Sequence, residues 1–241
     1  MPMTAILLSI SISDMQEMIS ICKMSLDNID LDINIKKSAC MQIGPRFDKT
    51  EIILSINGMP LKWKNEINYL GVLILAGKSF RCNLQTARNK FFKAVNGIFG
   101  KIVTFASPKV VLSLIDTSCI PIITYGLNAC NLNKSSNQVL DSAYESVYFK
   151  IFKISDKSNV ALCQHYFGYT PISCQIDVQK LNFLDSFTKF DITLPTFLFN
   201  WFGRKEYQDI VDKYNISKYA GHLMRKNIVQ RWFSDKALAG Q

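Results

Sequence analysis

Residues Asp32–Ile74 read DINIKKSACMQIGPRFDKTEIILSINGMPLKWKNEINYLGVLI, and this stretch decides the fold. Three β-prone runs lie inside it, Ala39–Ile43, Glu51–Ile56 and Asn68–Leu75, each bounded by turn chemistry. Gly44-Pro45 closes the first run, and Asn57-Gly58, a strong hairpin dipeptide, closes the second. An Asn-led basic turn, Asn34-Ile35-Lys36-Lys37-Ser38, opens the set. Short strands joined by tight turns and entered from a helix predict a small antiparallel sheet of α+β type.

Upstream, Ala5–Ile10 is a short apolar run of β character. Ser13-Asp14 supplies an N-cap, and Met15, Met18, Ile19, Cys22 and Leu26 recur at helical spacing, so a helix to about Asn28 is expected. Downstream the pattern turns helical. Ala87, Phe91, Ala94 and Ile98 form one apolar stripe, and Lys90, Lys93 and Lys101 form a neighbouring basic one with Arg88 close by. Ser107-Pro108 reads as a helix start, and Pro121 as a kink. A further helix carries Leu140, Ala143, Tyr144, Val147, Ile151 and Phe152. Tyr125, Tyr144 and Tyr148 could stack on bases, but aromatics at helical spacing more often pack a core. The segment Cys163–Pro171 reads as an apolar, turn-containing connector, and helical periodicity resumes over Ile172–Phe190.

Two motifs in the opening stretch are similar to a known family. Asn34-Ile-Lys-Lys37-Ser38 and Tyr69-Leu70-Gly71-Val72, in that order and followed by helices, resemble the end of the palm in reverse transcriptases of non-LTR (LINE-type) retrotransposons. Cys40–Arg46 ahead and Ala129–Lys134 behind fit the same resemblance, which covers roughly Ile6 to Gly168. It implies that Lys37 lies on the phosphate side of the incoming nucleotide. It also implies that Tyr69, Leu70 and Gly71 belong to a primer-grip hairpin, and that the helices beginning near Arg88 form a thumb along the template–primer backbone. The expected segments are then 1–78, a palm remnant; 79–158, a helical thumb-like domain; and 159–241, a helical C-terminal extension. The fold expected is α+β, a small sheet with one helix followed by a mainly helical bundle.

The resemblance breaks at the catalytic motif. Relatives carry a Tyr-Ala-Asp-Asp sequence before the strand matched by Ile6–Ser9, and its two aspartates fall on or next to Met3 and Thr4. Two divalent metals need paired carboxylates, which methionine and threonine cannot supply. The reading is therefore an inactive fragment with no catalytic residues, no metal ligands and no cofactor of its own, although the family uses Mg²⁺. Two alternatives stay open: an active polymerase whose front half is encoded upstream, and a basic α+β interaction module without polymerase ancestry.

A net charge of +9 and a pI near 9.2 favour a polyanionic partner, and RNA or DNA held through non-specific phosphate contacts fits best. Phosphate contact needs positive charge without base reading, the role given to Arg88, Lys90, Lys93 and Lys101. Beyond Asn200, Arg204, Lys205, Lys213, Lys218, Arg225, Lys226 and Arg231 alternate with Trp201, Tyr207, Tyr214, Tyr219, Trp232 and Phe233. That mixture suits single-strand binding as well as it suits wet amphipathic helices. Seven cysteines without any Cys-x-x-Cys give no zinc or redox motif; Cys163, His165 and Cys174 read as structural, with thiols reduced in an intracellular protein, nucleus and cytoplasm not distinguished. The longest apolar runs, such as Ile192–Phe202, are too short to span a bilayer, so no membrane partner is expected. Self-association through an open sheet edge is expected instead.

Overall fold

The computed structural model describes residues 5–47, 53–130, 132–187, 199–217 and 220–239. Several sequence expectations fall outside them: Met3 and Thr4, Glu51–Ile52 of the second run, Thr188–Phe190, most of Ile192–Phe202 (with the side chains of Trp201 and Phe202), Lys218 and Tyr219. The protein resolves into two compact units, 1–83 and 84–241, an α+β unit and a helical one.

In the first unit, helix α1 covers Ile12–Asp27. Its cap is Ser11 rather than Ser13: the Ser11 hydroxyl accepts from the Asp14 amide at 3.2 Å, so the helix begins earlier than its periodicity alone suggests. Ile19 is fully enclosed with Leu54, Ile56 and Leu61, and Leu7, Met15, Ile35 and Trp63 pack around them. This core is small, and the strands on it are short.

Those strands are β1 (Ala39–Cys40), β2 (Ser55–Ile56), β3 (Met59–Pro60), β4 (Lys62–Trp63), β5 (Glu66–Tyr69), β6 (Val72–Leu75) and β7 (Arg81–Cys82). They form three sheets, β1–β4, β2–β3 and β5–β6–β7. Asn57-Gly58 makes the expected turn between β2 and β3, both residues at positive φ (51° and 74°), which matches the right-handed twist of a two-residue hairpin. The antiparallel expectation holds for β2–β3 and β5–β6–β7 but not for the first run. Ala39–Cys40 pairs parallel to Lys62–Trp63, and Ile43 bridges parallel to Gly77. The whole β2–β3 hairpin lies between β1 and β4, a connection long enough to bring the two strands round in the same direction. Asn68–Leu75, expected as one strand, is the second half of one hairpin arm and the whole of the next, because Leu70-Gly71 turns the chain. Ala5–Ile10 is not a strand; no partner strand runs beside it among the described residues, and Leu8 and Ile10 are exposed.

The second unit contains helices α2 (Leu84–Ile102), α3 (Pro108–Ser118), α4 (Ile120–Thr124), α5 (Lys134–Phe152), α6 (Lys157–Phe167), α7 (Ile172–Phe187), α8 (Arg204–Tyr214) and α9 (His222–Ala239). Pro108 stands at the start of α3 after Ser107, as expected. Pro121 does more than kink the chain: α3 stops at Ser118 and α4 restarts at Ile120, since a proline amide cannot donate to the preceding turn. Phe91 and Val95 of α2, Leu112 and Ile115 of α3, and Tyr144 and Tyr148 of α5 are completely buried. Of Cys163–Pro171, expected as a connector, Cys163–Phe167 is the last part of helix α6. It ends on Gly168 at φ 77°, where the Gly168 and Tyr169 amides donate back to His165 and Gln164. A second cluster, around Leu181, Ile210, Tyr214 and Val229, joins α7, α8 and α9.

Candidate nucleic-acid interface

In the first unit the Lys37 turn is built by Asn34. Its backbone carbonyl accepts from the amides of Lys37 and Ser38, each at 3.0 Å, and from the Ser38 hydroxyl at 2.9 Å. Its side-chain oxygen accepts from the Lys37 amide at 3.2 Å. An asparagine that satisfies both its own loop and the next residues explains why the turn is Asn-led. Lys37 is left exposed at the rim, just ahead of β1.

The Leu70 turn is tighter. Tyr69 and Val72 form the closing pair of the hairpin, and Leu70 and Gly71 carry φ of 47° and 86°. Positive φ at both central residues is the pattern that normally selects Asn-Gly or Gly-Gly. Glycine meets it at Gly71 without penalty, whereas a leucine there is held in a conformation that costs of the order of 1–2 kcal/mol. Leu70 is also 67% exposed, so no core contact compensates. Tyr69 beside it is half-buried.

In the second unit the basic residues of α2 separate into two sets. Lys90, Lys93 and Lys101 are exposed. Arg88 is only two residues from Lys90, which places it about 200° further round the helix. There it is half-buried. One guanidinium nitrogen donates to Gln85 at 3.2 Å, the group lies 5.8 Å from the Phe92 ring centre, and Nε is enclosed without a hydrogen-bond partner. Arg88 is therefore set apart from the lysine stripe that sequence spacing had placed it beside.

The fold adds a cation that spacing could not show. Lys150 of α5 donates to Asn96, about one helical turn along from Lys93, at 3.1 Å and lies 5.7 Å from the Phe99 ring centre. Several basic side chains elsewhere in the second unit are engaged by acids or rings. Lys180 pairs with Glu206 and donates to the Cys130 carbonyl at 2.7 Å; Lys213 pairs with Asp177 at 2.7 Å; and buried Arg225 reaches Asn182 and Asp185. Lys213 and Lys236 also lie over Trp232, which meets Tyr214 edge-on. Part of the basic, aromatic tail, namely Lys213, Arg225, Lys236, Tyr214 and Trp232, is thus committed to packing α7, α8 and α9 together. Of the three tyrosines weighed for stacking, Tyr144 and Tyr148 are core and Tyr125 is exposed.

Among the described residues, no carboxylate pairs with Lys90, Lys93, Lys101 or Lys109. No group of three or more His, Cys, Asp or Glu side chains able to hold a metal occurs among them, and Cys22, Cys40, Cys119, Cys163 and Cys174 carry free thiols. No helix of the described residues is long and apolar enough to cross a membrane. No family model, no curated protein and no solved structure matches the chain.

Proposed function

We propose that this chain binds RNA or DNA as a piece related to the reverse transcriptases of non-LTR retrotransposons, gripping a template–primer backbone without polymerising. The observation that carries the reading is Leu70. An exposed leucine in a left-handed turn position has no packing reason to be there, and such strain clusters at contact sites. It stands at the middle of the Tyr69–Val72 hairpin, the element that the resemblance assigns to the primer's 3′ end. The exposed Lys37 turn and the unpaired lysines of α2 support the same reading, each within its own unit.

Backbone binding through lysines is counterion release, so affinity falls with salt in proportion to the phosphates neutralised. The test is fluorescence anisotropy of a labelled RNA–DNA primer–template over a salt series, with Lys90, Lys93 and Lys101 each changed to Glu in one variant. The wild-type affinity should drop steeply with salt, and the triple variant should flatten the slope by about 2–3. An unchanged slope, or strong preference for one sequence, would reject backbone binding. In parallel, the purified chain should add no nucleotide to the primer with Mg²⁺ or Mn²⁺, since Met3 and Thr4 stand where the aspartates are expected. Incorporation that a chelator abolishes would establish the active alternative.

A further inference from the structure

The turn between α2 and α3 exposes an aromatic ring. Phe105 is 76% exposed, with Val103 exposed beside it. The turn is nevertheless ordered by its backbone: the amides of Phe105 and Ala106 both donate to the Ile102 carbonyl, at 3.2 and 2.9 Å. Lys101 and Lys109 flank it, one on each helix, and both are exposed. From Leu84 to Ile115 the basic residues are Arg88, Lys90, Lys93, Lys101 and Lys109, and the segment contains no Asp or Glu at all. The α2–α3 turn and the helix stretches on either side of it, up to Ile115, are therefore an acid-free arm with an apolar ring at its end; the one acid of the two helices, Asp116, follows seven residues after Lys109, near the far end of α3.

Two polyanions could meet such an arm, a nucleic acid or an anionic bilayer, and the layout of charge decides between them. Eleven residues separate Lys90 from Lys101, about 16 Å along the helix. Charges that serve a bilayer lie in one plane with the apolar wedge, within about one Debye length of the surface. Here they recede from the ring along the arm, over a length that matches about five base-pair steps along a duplex axis. A line of cations ending in an exposed ring is the arrangement that holds a backbone and stacks an unpaired base.

We infer that Phe105 is a stacking platform for an unpaired base, flanked by Lys101 and Lys109, so that the α2–α3 arm takes single strands or duplexes with frayed ends in preference to blunt duplex. The inference rests on the nucleic-acid reading above and adds the kind of strand and the residue that senses it. Every base has a π face, so the preference is for strandedness and not for sequence.

The full chain is titrated at low salt against a fluorescein-labelled single-stranded oligonucleotide and against a blunt DNA hairpin of equal charge. Phe105→Ala should weaken single-strand binding by about five-fold or more while blunt-hairpin binding stays within about two-fold. Phe105→Trp should restore the affinity, with added indole fluorescence that the single strand quenches, whereas Phe105→Leu should not restore it. Because Phe105 is exposed, these variants keep the fold, which circular dichroism checks. Equal single-strand affinity for wild type and Phe105→Ala, or full rescue by leucine, overturns the platform while leaving backbone binding intact. If wild type binds neither oligonucleotide, the nucleic-acid reading falls and the platform with it. Phosphatidylserine vesicles serve as the other arm: sedimentation that depends on Phe105, with oligonucleotide binding indifferent to it, assigns the ring to a membrane surface and overturns the inference.

Discussion

Gln16 and Ser55 exchange two hydrogen bonds across the first unit: the Gln16 amide donates to the Ser55 carbonyl at 2.9 Å, and the Ser55 amide donates to the Gln16 side-chain oxygen at 2.9 Å. A side-chain amide reproduces the donor–acceptor pair of a neighbouring strand, so α1 gives β2 a strand-like partner. With so small an apolar core beneath it, this pair is a large share of what fixes the helix on the hairpin.

Gln16→Ala should therefore lower the unit's stability by about 2 kcal/mol, since two partly buried backbone groups lose their partners. Gln16→Glu should cost nearly as much, because a carboxylate can accept from the Ser55 amide but cannot donate to its carbonyl. Hydrogen exchange at the Ser55 amide, together with denaturant unfolding, reads both effects. Protection unchanged in Gln16→Ala would show that the hairpin does not depend on α1.

At the Leu70 turn, stability and binding should move in opposite directions. Leu70→Asn places the preferred residue at positive φ and should stabilise the hairpin by about 1 kcal/mol. On the proposed function, the same change should weaken template–primer binding, since it removes the exposed side chain. A variant that is more stable and binds as well as wild type would leave Leu70 without a contact role.

Lys180 has only 8% of its side chain exposed and holds both Glu206 and the Cys130 carbonyl. Lys180→Ala strands a carboxylate and a carbonyl, and a cost of about 2–3 kcal/mol is expected, reduced from the fully buried figure because Glu206 is one-third exposed. The double change Lys180→Met with Glu206→Leu should recover most of it, because apolar side chains of similar volume need no partners. Urea unfolding of the three variants tests this; a double variant as weak as the single one would mean that packing, not charge, is what matters there.

Burial holds the phenols of Tyr144, Tyr148 and Tyr214 well above the ordinary tyrosine value. Tyr148 donates to the Tyr144 hydroxyl at 3.2 Å, and Tyr214 donates to Asp177 at 2.7 Å, so each proton is also in use. The native protein thus keeps protons that the unfolded chain gives up above about pH 10. Unfolding then releases protons, and stability, intact below that pH, falls as pH rises past it by up to about 1.4 kcal/mol per pH unit per tyrosine. Tyr214→Phe should make the alkaline decline shallower by one such share, although it costs the Asp177 hydrogen bond at neutral pH. Denaturant midpoints taken on both sides of pH 10 decide it; identical slopes for variant and wild type would refute the linkage.

Local chemistry alone determined a good part of this protein. Asn57-Gly58 turns where its dipeptide requires, Asn34 organises the Lys37 turn through its own side chain, Pro108 opens a helix and Pro121 breaks one. The apolar period of α2 put Phe91 in the core, and the α+β order with its helical second unit followed from the same periodicities. These features depend on φ preference, a nearby acceptor or a repeat of about 3.6 residues, all of which are written in neighbouring positions. What tertiary structure decided involves partners far along the chain. Ala39–Cys40 became parallel to Lys62–Trp63, and Ala5–Ile10 stayed out of every described strand, since β-propensity acts only where an edge is offered. Cys163–Phe167 became helix because Val160 and Gln164 bury one face of α6 against the bundle. Charge was sorted in the same way: Lys150 reached Asn96 from 54 residues away and Lys213 was drawn to Asp177, while Phe105 and the lysines of α2 stayed in water. A basic residue is equally basic in either place; only the acid or ring that the fold sets beside it determines whether it holds the protein together or remains available to a polyanion.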